Sequence, residues 1–199
     1  MNPLSTRPTL FEVANASMRA IVLSEDDIPC LQEFFVANPA YFLDVYGEPP
    51  RANEAYEEFH DLPPAEMTYT RRMHIGFVND ANELEGIAGV LSDFLAAGVW
   101  HIGLYVVTTS LHGSGVARSI HAALEAWMKH EGAQWVRLGV VAGNARAERF
   151  WERSGYIDMR TREGVEMGKR INTVRVMVKP LCGGALASYL ERVPRDRPG

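Results

Sequence analysis

Apolar residues recur along this chain with two different periods, and the changes of period divide it into elements. "SMRAIVL" is a short apolar run that predicts a strand, and "SEDDIPCLQEFFVANP" then sets Ile28, Leu31, Phe34 and Phe35 at helical spacing. Ser24, with Asp27 three positions on, is a capping-box variant that predicts where this helix starts. "NPAYFLDVYGEPP" breaks the helix as an excursion, "RANEAYEEFH" predicts a second helix, and Pro63 and Pro64 end the helical part. From Thr70 the period is that of strands: residues 71–79 and 84–94, joined by "NDANE", predict an antiparallel hairpin. "VWHIGLYVV" (99–107) predicts a third strand, apolar enough to be central. Val116, Ile120, Ala123, Leu124 and Trp127 then share one helical face, while Arg118, Ser119, Glu125 and Lys129 take the other. "QWVRLGVV" predicts a strand, and "NARAERFWERSG" a short helix capped by Asn144 and stopped at Gly155. Closing strands at about 156–162 and 171–179 flank a charged, glycine-containing loop.

The order is strand, two helices, three strands, helix, strand, helix, two strands. It predicts a mixed α/β (α+β) sheet, largely antiparallel at its start, with one βαβ crossover. Residues 1–16 read as an N-terminal arm, 17–181 as one domain, and 182–199, with Pro194 and Pro198, as a tail.

Composition narrows the partners. The formal charge of −5 offers no basic stripe for nucleic acid. No run approaches the about 18 apolar residues of a membrane span. Cys30 and Cys182 stand far apart without a CxxC, so neither a disulfide framework nor a metal site is expected. These features predict a soluble, cytoplasmic protein.

The chemistry is concentrated in "SLHGSGVARSIHAALEAW", where glycines sit between a strand and a helix. The first N–H groups of a helix have no internal partners, and together with the helix dipole they form an anion site. Glycine removes the Cβ atoms that would hold an anion away. A Walker loop fails here because Val116-Ala117 stand where Lys-Ser or Lys-Thr is needed. A Rossmann fingerprint fails at Arg118, and the acid expected about twenty residues on is missing.

"VVTTSLHGSGVA" resembles the acyl-CoA signature of the GNAT superfamily of N-acetyltransferases, Gln/Arg-x-x-Gly-x-Gly/Ala. Gly115 and Ala117 match, and His112 stands where Gln or Arg is usual. "NARAERFW" is similar to the family's Asn-x-x-Ala-x-x-x-Tyr, with Asn144 and Ala147 in place. "FWERSGY" is similar to its Phe-Tyr-x-x-x-Gly-Phe, with Trp151 and Tyr156 as replacements. The resemblance covers about residues 17–180, in the family's element order. It implies a largely antiparallel central sheet with splayed middle strands and flanking helices. It also implies acetyl-CoA as co-substrate, its pantetheine paired with backbone at Val106 and Val107. The pyrophosphate would take backbone N–H groups from His112, Gly113, Ser114, Gly115, Val116 and Ala117, and Asn144 would contact the pantetheine arm.

Acetyl transfer to an amine needs the neutral amine, which with a pKa near ~10 is scarce at pH 7. A base, directly or through water, must take the proton. Some amine-acetylating relatives place a histidine where His101 stands, which makes it the first candidate; a packed strand histidine is the plain alternative. Asp93, at the end of the preceding strand, is the second candidate, or else a solvated loop carboxylate. The tetrahedral oxyanion needs N–H donors, expected from backbone near Val106. Trp151 replaces the tyrosine that usually protonates the leaving thiolate and has no useful acidity; it walls the thioester channel or serves as a core aromatic.

The acceptor side is expected from the first helices and the hairpin. Tyr41, Phe42 and Tyr46 suit a pocket or a helix–helix core, and Glu57, Glu58 and Asp61 an amine-attracting patch or a solvated face. The leading expectation is an N-acetyltransferase acting on the primary amine of a small molecule. The alternative is a non-catalytic acyl-CoA-binding sensor, favoured by the off-pattern His112 and Trp151. Edge strands within 156–179 are where a homodimer would form.

Overall fold

The computed structural model describes residues 3–14 and 16–198; Met1, Asn2 and Asn15 of the expected arm and Gly199 of the expected tail lie outside them. Eight strands form one sheet: β1 (Thr9–Val13), β2 (Met18–Val22), β3 (Arg71–Asn79), β4 (Leu84–Ser92), β5 (Val99–Val107), β6 (Trp135–Val141), β7 (Ile157–Met167) and β8 (Arg170–Pro180). Their order is β1-β2-β3-β4-β5-β6-β8-β7. Among the described residues only β5 and β6 pair in parallel, joined by the crossover helix α4 (Val116–His130). A chain of hairpins followed by one crossover gives this mixed sheet, as the hydrophobic periods predict.

The pairing of β5 with β6 explains the cleft. It runs from Val99↔Trp135 to Ile102↔Leu138 and stops there. On its other side β5 remains paired with β4 through Val107, with a register shift between Gly89 and Val90 where Gly103 is the extra residue. A bulge bends its strand and re-aims the residues beyond it. Before the bulge, Trp100 and Ile102 enter the core under α4; beyond it, Leu104 and Val106 enter the opposite one. The two middle strands therefore diverge as the resemblance implies.

One face of the sheet packs α4 and α5 (Ala145–Arg153) through Ile120, Leu124, Trp127 and Trp151. The other packs α1 (Ile28–Ala37), α2 (Ala40–Val45) and α3 (Glu54–His60) through Leu31, Phe35, Phe42 and Ala55. The capping box is present: the Asp27 carboxylate accepts the Ser24 N–H at 2.8 Å.

Four segments differ from the sequence expectation. The excursion at 40–45 is the helix α2, whose apolar Phe42 and Val45 are buried. Residues 9–13, within the expected arm, pair with β2 as an edge strand and seat Val13 in the core. The expected loop after residue 162 is instead a continuation of β7 and β8 into a long hairpin. Within the expected tail, α6 (Leu186–Arg192) buries Tyr189, and Asp196 forms a buried ion pair with Arg137 of β6 at 2.7 Å. A tyrosine and a carboxylate with a distant partner anchor a segment that local composition marks as loose.

Candidate active site

The glycine turn follows β5 and starts α4 with its backbone bare. Gly113 and Gly115 sit at φ +82° and +92°, and a Cβ at either would meet nothing within 4 Å. The turn is therefore open to solvent, as an anion seat must be. Its amides are not all free. His112 N–H donates to Thr109 C=O at 3.1 Å and Ser114 N–H to Leu111 C=O at 3.2 Å. Val116 N–H reaches Ser114 Oγ at 3.3 Å. Among the described residues, Gly113, Gly115 and Ala117 keep N–H groups without an intramolecular partner. Of the six amides expected to meet a pyrophosphate, these three are the unengaged ones.

Backbone alternation also refines the pantetheine wall. Thr108 N–H donates to Glu85 C=O at 2.9 Å, so the next pair in hydrogen-bonding phase is Val106 with Ile87. The backbone of Val106 is thereby committed to β4, while the groups of Tyr105 and Val107 face the opening toward β6. Expected at Val106 and Val107, the cleft-facing pair is Tyr105 and Val107. His112 Nε2 donates to Val107 C=O at 3.0 Å. Its Nδ1 faces an Arg146 N–H at 2.9 Å and must accept, which assigns the ring proton to Nε2.

A cavity of about 200 Å³ runs along this wall, bounded by Tyr105, Val106, Val107, His112, Gly113 and Ala117 on one side. Asn144, Arg146, Ala147 and Trp151 bound it on the other. Asn144 Oδ1 accepts the Ala147 N–H at 3.1 Å as the cap of α5, and its Nδ2 reaches Asp44 at 3.3 Å. Trp151 is buried and edge-on to Tyr105 at 5.4 Å. Most of the residues the sequence marks for the coenzyme thus converge.

A second cavity, about 250 Å³, continues through the splay between β5 and β6. It shares Tyr105, Asn144 and Trp151 with the first and is flanked by Tyr41 and Val45 of α2 and by β7–β8. Long-range contacts join these walls: Lys169 N–H donates to Tyr46 C=O at 2.9 Å and Asn172 Nδ2 to Val45 C=O at 2.8 Å. Gly168 permits this approach, since a Cβ there would lie 2.9 Å from the Tyr46 carbonyl oxygen. A third cavity of about 260 Å³ lies against α3 and β4.

His101 borders both the second and third cavities. Its Nδ1 meets Arg137 C=O at 3.0 Å and must donate, leaving Nε2 as an acceptor with no hydrogen bond among the described residues. The ring stacks on Phe94 at 4.5 Å. Burial, reinforced by the Arg137 charge, pushes its pKa down to about 3. Asp93 is not brought to these cavities. Its Oδ1 accepts the Gly98 N–H at 2.8 Å across the β4–β5 turn, where its own φ is +50°.

The tyrosines near the cleft are engaged. Tyr105 OH donates to Ala117 C=O at 2.6 Å, and burial holds its pKa far above the usual value. Tyr156 OH lies 3.1 Å from His121 Nε2 and is likewise raised by burial. Sequence reasoning missed Arg146, and Asn38, whose buried side chain accepts the Thr109 N–H at 2.7 Å. Neither carries a local signal, because each partner is far away in the chain.

The family model of GNAT acetyltransferases matches residues 34–156. Among solved structures, the chain is similar to an acetyltransferase from Thermus thermophilus, at 18% identity and a TM-score of 0.65, covering 82% of this chain and 97% of that one. It is similar to the spermidine N-acetyltransferase of Vibrio cholerae in complex with CoA and spermine, at 14% identity and a TM-score of 0.64, covering 84% and 97%. It is also similar to the ribosomal-protein-S18-alanine N-acetyltransferase of Escherichia coli, at 12% identity and a TM-score of 0.60, covering 84% and 96%. No curated protein sequence matches it. With the family pattern spanning most of the chain and the open glycine turn beside a splayed central sheet, this protein belongs to the GNAT family of acetyltransferases, acyltransferases that use acetyl-CoA.

Proposed function

We propose that this protein acetylates the primary amine of a small molecule. The observation that carries this reading is the continuity of the two cavities through the β5–β6 splay, with unengaged amides at one end and His101 toward the other. The walls formed by α2 and the β7–β8 hairpin favour a compact acceptor over an extended polypeptide.

Acetyl-CoA supplies the activated thioester: the amine nitrogen bonds to its carbonyl carbon, the C–S bond breaks, and the amine proton leaves to base or water. The N–H groups of Gly113, Gly115 and Ala117 hold the diphosphate at the positive end of α4. Those of Tyr105 and Val107 face the position where negative charge develops on the carbonyl oxygen. His101 is neutral at physiological pH, and its bare Nε2 orients the water or amine that gives up the proton. With a pKa of about 3 it relays a proton and does not store one. Tyr105 and Tyr156, committed and weakly acidic, do not protonate the thiolate, which takes its proton from water.

Incubation with acetyl-CoA and a panel of amines, following free thiol, tests this reading. It expects amine-dependent thiol release and an acetylated product. Acetyl-CoA binding without amine-dependent release would instead favour the non-catalytic sensor.

A further inference from the structure

One arginine lining the cavity in the splay has no counter-charge among the described residues. Val45, Met167, Val174 and Val176 make its walls apolar, and no aspartate or glutamate lines it. Two arginines line it, Arg137 and Arg162. Arg137 is matched by Asp196, through Nε at 2.7 Å and an Nη at 3.1 Å. The side chain of Arg162, half-buried, has no ion pair and no hydrogen bond among the described residues. Its neighbours in the same hairpin are engaged: Arg160 donates to Arg195 C=O, Arg170 donates to Asp44 C=O at 3.1 Å, and Arg175 pairs with Glu148 at 3.0 Å and Glu152 at 2.9 Å.

The backbone sets Arg162 in this place. It pairs with Val174, another wall of the cavity, immediately before the register shift that separates it from Val165. The position is on the sheet, not on a free loop. A guanidinium partly withdrawn from water beside apolar walls is desolvated without compensation. A carboxylate supplies the compensation best, because the planar fork matches its two oxygens.

We propose that Arg162 is the specificity residue of the acceptor site, and that the acceptor is a small amine that also carries a carboxylate, of amino-acid type. The inference rests on the acceptor reading above. It separates this chain from a polyamine enzyme, since a polycation would meet an unpaired like charge in a cavity with no carboxylate. The acidic groups of the adjoining cavities are Asp44 in the first, held by Asn144 at 3.3 Å and Arg146 at 3.6 Å, and Asp61 and Glu58 in the third, where Glu58 faces His74 at 3.2 Å.

The test compares α- and ω-amino acids, the corresponding amides and spermidine as acceptors, for the wild type and Arg162→Gln. The expected wild-type result is a kcat/KM at least tenfold higher for an amino acid than for its amide. Arg162→Gln should reduce that ratio at least tenfold, mainly through KM, with acetyl-CoA affinity unchanged by calorimetry. Arg162→Lys should restore part of it. Preference for spermidine, or an equal loss on acids and amides, would overturn the proposal and leave the transferase reading standing. If no amine is acetylated, the transferase reading fails separately. Calorimetry of the same amino acids against the CoA-loaded protein then decides: binding by wild type and not by Arg162→Gln supports the proposal, and equal or no binding overturns it.

Discussion

His101, half-buried at the cleft, and His121, fully buried beside it, are both pushed down to about 3 by desolvation. Their surroundings give them different roles. His101 presents a free Nε2 to two cavities, so His101→Ala should lower kcat by about 10²–10⁴ if the ring relays the amine proton. Because its pKa is about 3, the wild-type rate profile should show no limb near pH 6–7 that this substitution removes; such a limb would contradict the burial described here. His121 instead lies behind Trp151, edge-on at 5.2 Å, with Nε2 3.4 Å from Glu125, which Lys179 holds at 2.5 Å. Its folded pKa lies below the ordinary value of about 6.5, so between those values the unfolded chain binds the extra proton. Stability is then complete above about pH 6.5 and falls as pH drops toward 3, by up to about 1.4 kcal/mol per pH unit from this group. Thermal melts across that range should flatten in His121→Phe; an unchanged slope would mean that His121 titrates normally.

At the scale of elements, the C-terminal segment shows what local pattern leaves out. Arg137 reads as one polar residue in an apolar strand, and Asp196 as one acid among prolines and arginines; folding joins them across 59 positions. Burial raises the Asp196 pKa, but hydrogen bonds from Arg137, its charge and the Tyr189 hydroxyl outweigh this and hold it below the ordinary carboxylate value. The pair's contribution is therefore present above about pH 3.9 and lost as pH falls further, through the lowered folded value. Asp196→Asn leaves Arg137 buried and uncompensated, and should destabilise the protein by about 3–5 kcal/mol. Faster hydrogen exchange over residues 186–196 would accompany it; unchanged exchange would mean the segment is held by other contacts. The excursion at 40–45 was illegible for a related reason: a six-residue helix between prolines is too short to establish a period, and aromatic packing of Phe42 on Phe35 at 4.9 Å sustains it.

Across the whole molecule, the long elements were legible because their apolar periods are sustained, and the coenzyme side because its signals are local. A glycine turn, a helix cap at Asn144 and an aromatic at Trp151 lie within one continuous stretch of chain. The proposed acceptor cavity is bounded by α2, β5, β6 and the β7–β8 hairpin; the local run of aromatics already marks Tyr41, whereas Arg162 gains meaning only after folding. The same distinction applies within the glycine turn: sequence indicates six candidate amides, whereas Thr109 and Leu111 carbonyls and the Ser114 hydroxyl engage three of them. The most direct measurement is calorimetric titration of acetyl-CoA into the wild type, Gly115→Asn and Gly115→Asp. Both replacements visit positive φ more readily than other side chains and are nearly equal in size, so they differ chiefly in charge. Gly115→Asp, at a melting temperature close to that of Gly115→Asn, should bind at least tenfold more weakly, a difference of about 1.4 kcal/mol or more. Equal affinities for the two variants would contradict a diphosphate seated at the start of α4.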